Sequence, residues 1–112
     1  MIHFPDTKLK RYVLVETPSG VYGETVGRYV EYDEFKCDFQ DESDAEVAEQ
    51  YGVELADMYR IYTNLSVELR NTDVLVDEDG NTYDIIGSIK EYKKFHNYKS
   101  AYLKKRRESS ML

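Results

Sequence analysis

The chain has no tryptophan, one cysteine, two prolines and no apolar run approaching the length of a membrane helix. Each shortage closes off a class of protein. With Cys37 alone no intrachain disulfide can form, so the fold must hold without covalent staples, and Cys37 itself reads as a small core residue rather than a reactive thiol. A helical bilayer crossing takes about 20 apolar residues in a row, and nothing of the kind occurs. Met1 to Lys10 lack the apolar stretch of a secretion signal, so the expectation is a product that stays in the cytoplasm where it is made. His3, Cys37 and His96 lie far apart without metal-ligand spacing. There is no glycine loop to cradle a phosphate and no nucleophile elbow.

What is abundant is acid and tyrosine. The 112 residues carry 22 acidic and 15 basic side chains, a formal charge of -7, and eleven tyrosines. Residues 1–57 hold 14 acids and 5 bases, residues 58–112 hold 8 and 10, so the halves stand at -9 and +2. A free-standing nucleic-acid binder shows a basic stripe, and the acidic half argues against one. Tyrosine, with an apolar ring and a polar tip, suits small β-cores and protein interfaces. At this length one domain is expected, burying somewhat under ~70% of its unfolded surface in one modest core.

The acid is concentrated in Gln40–Asp57, a stretch with seven carboxylates (Asp41, Glu42, Asp44, Glu46, Glu49, Glu54 and Asp57) and no base. It reads as neither strand nor tight turn. Ser43 or Asp44 can cap a short helix, with Glu46 three residues on from Ser43, and Gly52 stands where two or three turns would end. Around it the chain alternates like β-structure. Leu9 to Thr17 reads as a strand ended by Pro18-Ser19-Gly20, and Val21 to Gly27 as a loop or hairpin return. Arg28 to Phe39 reads as a second strand whose apolar parity changes between Tyr32 and Phe35, which calls for a bulge near Asp33-Glu34. Met58 to Leu65 is a third strand, Val74 to Val76 a short one, and Asp77 to Asn81 a hairpin loop with Gly80 free for positive φ. Tyr83 to Ile89 alternates plainly. Tyr92 to Leu103 continues as a last strand or pair, marked as an edge by Lys93, Lys94 and Lys99. Six or so strands with one short helical, acidic insertion between the second and third predict an all-β fold, a small barrel. Its expected bounds are an arm over residues 1–8, the barrel over 9–103 with the insertion at 40–57, and a disordered basic tail over 104–112.

The same residues leave little for catalysis. Paired carboxylates doing acid-base work need burial or a like-charged neighbour to split their pKa values, and nothing near the insertion suggests an apolar pocket. Asp77 to Asn81 lacks the spaced acids and terminal glutamate of a calcium loop. No catalytic residue, cofactor or metal is expected. Two classes of function stay open. One is a structural assembly protein that pairs with identical or neighbouring subunits. The other is an oligonucleotide-binding type of barrel with tyrosines stacking on bases, or an acidic DNA mimic. Tyr29, Tyr32, Tyr51, Tyr59 and Tyr62 stand mostly among carboxylates, which favours the first.

The order of motifs carries a resemblance. An acid- and tyrosine-rich strand leads into the insertion ending at Gly52, then Tyr59-Arg60-Ile61-Tyr62-Thr63, Val74-Leu75-Val76 and Gly80-Asn81-Thr82-Tyr83-Asp84-Ile85-Ile86-Gly87-Ser88-Ile89. Over about Leu9 to Leu103 this resembles the head-closure proteins of long-tailed bacteriophages, also called stopper or head-tail joining proteins. The resemblance implies a homo-oligomeric ring, usually taken as dodecameric, below the portal and adaptor rings and above the tail, located in the virion after synthesis in the host cytoplasm. It implies that the seven carboxylates of the insertion line or plug a channel for double-stranded DNA without binding it specifically. Val47, Val53 and Leu55 would then pack loop against loop, and Lys104, Lys105, Arg106 and Arg107 would touch a neighbouring connector subunit. A neighbouring adaptor or tail-completion protein is the alternative within the same assembly.

Overall fold

A computed structural model describes residues 7–18, 23–94 and 97–107. Residues 1–6 of the expected arm and 108–112 of the expected tail lie outside these described residues. Six antiparallel strands close into a barrel in the order β1-β2-β3-β6-β5-β4. They are β1 (Thr7–Pro18), β2 (Thr25–Asp41), β3 (Met58–Asn64), β4 (Val74–Val76), β5 (Thr82–Tyr92) and β6 (Tyr98–Lys105). The single helix α1 (Ala45–Gln50) lies between β2 and β3, followed by a 3-10 turn at Leu55–Asp57. An all-β barrel with a short acidic insertion at that point is the architecture read from the sequence.

Period-two alternation explains the core. Leu9 on β1, Phe35 and Cys37 on β2, Ile61 on β3, Leu75 on β4, Tyr83 and Ile85 on β5 and Ala101 and Leu103 on β6 point inward and are buried together. At the end nearest the insertion, Phe39, Tyr59 and Tyr83 form a mutual aromatic cluster with ring centroids 5.1 to 5.5 Å apart. Such tilted and edge-on pairs add to the apolar burial of each ring. Cys37 is fully buried, a core residue as expected.

The parity change in β2 is resolved by a bulge, one residue earlier than the sequence suggested. Arg11 pairs with Asp33 but Tyr12 with Glu31, which leaves Tyr32 as the extra residue. The bulge keeps Phe35 and Cys37 inward while returning Val30 to the same side. It also lets Tyr32 lie under the guanidinium of Arg11, 4.5 Å from ring centroid to Cζ.

The plain alternation expected over Tyr83 to Ile89 breaks after Ile86, where β5 bulges and its register against β6 shifts before Lys90. Three boundaries also differ from the expectation. β1 already includes Thr7 and Lys8, and β2 begins at Thr25 rather than Arg28. Lys99 does not mark an edge: β6 lies between β3 and β5 in a closed barrel, and Lys99 is buried with Nζ bonded to the Val67 carbonyl. Closure removes the edge that the lysines seemed to protect. Finally, Lys104 and Lys105 belong to β6, not to a disordered tail.

Candidate functional site: the acidic insertion

The insertion leaves the barrel through a hydrogen-bonded neck, where Glu42 N donates to the Met58 carbonyl at 3.0 Å. The Glu42 carboxylate then accepts from the backbone N–H groups of Ser43 and Asp44, both at 3.1 Å. Asp44 is the cap of α1, accepting from Glu46 N at 2.9 Å; of the two candidates the sequence offered, this is the one used. After six residues the helix closes at Tyr51, Gly52 turns the chain at φ +66, and Val53 N returns to the Ala48 carbonyl at 3.0 Å.

What presses the insertion onto the barrel is small and apolar. Ala48 and Met58 are buried, and the Tyr51 ring rests on the outer face of the sheet, 5.7 Å from the ring of Tyr102. Gly87 makes room for it. A Cβ there would lie 2.7 Å from Tyr51 Oη, closer than non-bonded atoms approach.

The seven carboxylates therefore divide by role. Asp44 is occupied in capping and the half-buried Glu42 in the neck. Glu54 and Asp57 both pair with Arg107: Arg107 Nε lies 2.6 Å from Asp57 Oδ2, and Arg107 Nη2 meets Glu54 Oε2. Arg106 forks onto Asp84 with bonds of 2.9 and 2.7 Å, and its backbone N–H donates to the Thr82 carbonyl at 2.8 Å. The hydrogen bonds they donate to their carboxylate partners raise both arginine pKa values, for Arg106 against the pull of burial. The four residues proposed as connector contacts thus begin within the molecule: Lys104 and Lys105 in a strand, Arg106 and Arg107 folded back on their own chain. Asp41, Glu46 and Glu49 stay exposed, and among the described residues no ion pair is recorded for them. Val47 and Val53 are half-covered by the rest of the chain, and Leu55 is the most open of the three proposed packing residues at 37% exposure.

Chemically, this arrangement displays negative charge on a segment tied to a closed barrel. Among the described residues no group of three or more His, Cys, Asp or Glu side chains is gathered so as to hold a metal ion.

Two clusters escaped the sequence reading because each joins residues from separate strands. At the opposite end of the barrel Arg11 is fully buried, bonded to Asp33 at 2.9 Å and to Asp73 at 3.0 Å. Burial lowers its pKa, yet hydrogen bonds to Asp33 and Asp73 win and leave it above the ordinary value. On the outer face of β3, β6 and β5, the guanidinium of Arg60 lies between the rings of Tyr62 and Tyr102, and Tyr62 continues to Tyr98 and Tyr92. Burial pushes the Tyr62 and Tyr102 hydroxyls up, against the pull of Arg60.

No protein-family model matches the chain, and no curated relative does. Among solved structures, the solution structure of protein SF1141 from Shigella flexneri 2a is similar in fold. Its TM-score is 0.74 at 13% identity, over 92% of this chain and 94% of that one. At that identity the likeness concerns the barrel alone.

Proposed function

We propose that this protein is a non-enzymatic structural subunit of a phage head-tail connector. In this reading it forms a ring below the portal and adaptor, closes the DNA-filled head and receives the tail, and its acidic insertion lines or plugs the DNA channel. The observation that carries it is the mounting of the insertion: a closed barrel holds the segment at a neck, at Tyr51 and at Arg107, and turns Asp41, Glu46 and Glu49 to solvent. A conduit for a polyanion is served by such a surface, since carboxylates repel phosphate and keep DNA from sticking. Glu54 and Asp57 drop out of the DNA-facing set because Arg107 neutralises them. The likeness in the order of motifs to head-closure proteins supports the assembly and its site in the virion.

The runner-up within this class is an adjacent adaptor or tail-completion subunit. An oligonucleotide-binding barrel is less well supported. Bases need free ring faces to stack on, whereas Tyr62, Tyr92, Tyr98 and Tyr102 are turned onto one another and onto Arg60.

The test is a triple substitution, Asp41→Lys, Glu46→Lys and Glu49→Lys, which leaves the cap, the neck and the Arg107 pairs untouched. Particles carrying it are expected to assemble and to release DNA more slowly. Normal ejection kinetics from a normally assembled connector would overturn the channel role.

A further inference from the structure

The β1–β2 hairpin outruns the barrel. β4 pairs with β1 only over Lys10–Tyr12, and β3 pairs with β2 only over Asp38–Asp41. From Val13 to Pro18 and from Thr25 to Val30, each strand therefore has only the other as strand partner among the described residues. The long axis of the molecule, 48 Å against 30 and 26 Å, fits this extension. A two-stranded ribbon alone is at best marginally stable in water, and its outer edges offer rows of backbone donors and acceptors.

The ribbon's side chains make it stranger still. Val13, Val15 and Thr17 lie opposite Val30, Arg28 and Val26, on the parity that inside the barrel belongs to Leu9 and Arg11. Four valines thus stand where a core would be, yet no strand covers them. Val26 is 57% exposed and Val30 37%.

We infer that this ribbon is a contact surface between copies of this chain, the outer edge of β1 in one copy adding to the outer edge of β2 in the next. The geometry selects a second copy as occupant. The two free edges belong to strands that already run antiparallel, so each added copy regenerates the order β1-β2-β1-β2 and presents a fresh edge. Such a head-to-tail contact propagates until rotation closes it. Charge agrees within the ribbon: in the register the chain uses within itself, Glu16 faces Gly27 and Arg28 faces Val15, so repeating that register over Val13–Pro18 and Thr25–Val30 sets no like charges opposite one another. The valines of neighbouring copies then line one face, with Arg28 and Thr17 among them. Each contact is small, about 20 Å of strand at roughly 3.3 Å per residue, well short of the ~800 Å² per partner of a stable pair, so a single contact is weak and many are needed. This supplies the contact that a connector ring would use, but it stands on the ribbon and not on the channel.

Amide spectra of the full chain in a dilution series test it. Between about 0.02 and 1 mM a contact of near-millimolar Kd passes from almost empty to substantially filled. Concentration-dependent shifts are expected at Val13–Pro18 and Thr25–Val30, reduced about ten-fold by Val26→Lys with Val30→Lys, since lysine blunts a strand edge. Both positions are already exposed, so the barrel amides should not change. Absence of any such dependence, its appearance at the insertion or the Tyr62–Tyr98 face instead, or its persistence in the double variant would each overturn the inference. Lysines in the insertion probe the channel and lysines in the ribbon probe the contact, so either can fail alone.

Discussion

At the scale of single residues the clearest device is Asp77, in the loop between β4 and β5. Its carboxylate accepts from Asp79 N at 2.9 Å, Asn81 N at 2.8 Å, Asn81 Nδ2 at 3.0 Å and Tyr83 Oη at 2.9 Å. Burial alone would raise its pKa, but these donors outweigh burial and hold it below the usual carboxylate value. The same contact, after burial, raises the hydroxyl of Tyr83. A depressed folded-state pKa adds stability above the unfolded value near 4, and that stability is lost as pH falls through the folded value. Asp77→Asn is therefore expected to cost about 1 kcal/mol at pH 7, with the gap to the parent shrinking towards zero in acid. Urea melts at neutral and acid pH measure it, and a gap that persists in acid would show that shape rather than charge is at work. The sequence made the turn legible, because Asp, Gly and Asn at this spacing bond their own backbone. It hid Arg11, whose inward position at the parity of Leu9 makes sense only once Asp73, 62 residues away, is known to meet it.

Elements were legible where their cause is local. Helix α1 was foreseen because its acidic cap and stopping glycine lie within one short stretch, although at six residues it is shorter than the two or three turns expected, and the bulge because parity changes within a few residues. The end of β6 was not, since Lys104 and Lys105 look like tail until their pairing with Met58 and the start of β5 is seen. Gly87 belongs to the same class: its φ of +67 and the pressure of Tyr51 against it both arise from the bulged β5 meeting the insertion. A Cβ at Gly87 brings strain of about 1–2 kcal/mol from the left-handed backbone and also displaces the Tyr51 ring. Gly52 has nearly the same φ, +66, but nothing within 4 Å of an added Cβ. Gly87→Ala is thus expected to speed amide exchange across α1 and to cost more stability than Gly52→Ala, while the barrel strands exchange as before. Equal effects of the two substitutions would mean that Tyr51 does not fasten the insertion.

For the whole molecule, charge and apolar contact pull in opposite directions, and their balance sets how copies meet. Every copy carries -7, so bringing copies together is opposed by like-charge repulsion, which reaches about 10 Å at 0.1 M salt and about 3 Å at 1 M. Backbone edges and valines are not screened in this way, and apolar association is if anything strengthened by salts excluded from protein surfaces. If the ribbon joins copies, self-association of the isolated chain should be weak at low salt and should grow as salt rises from about 0.05 to 0.5 M. The opposite sign is expected if Lys104 to Arg107 of one copy grip the acidic insertion of another. Of these, Arg106 would have to leave Asp84, and Arg107 would have to leave Glu54 and Asp57, their partners in the free chain, and such contacts weaken as salt screens them. Sedimentation equilibrium across a salt series reads the sign directly: mass rising with salt supports edge pairing, and mass falling with salt assigns assembly to the basic end of β6.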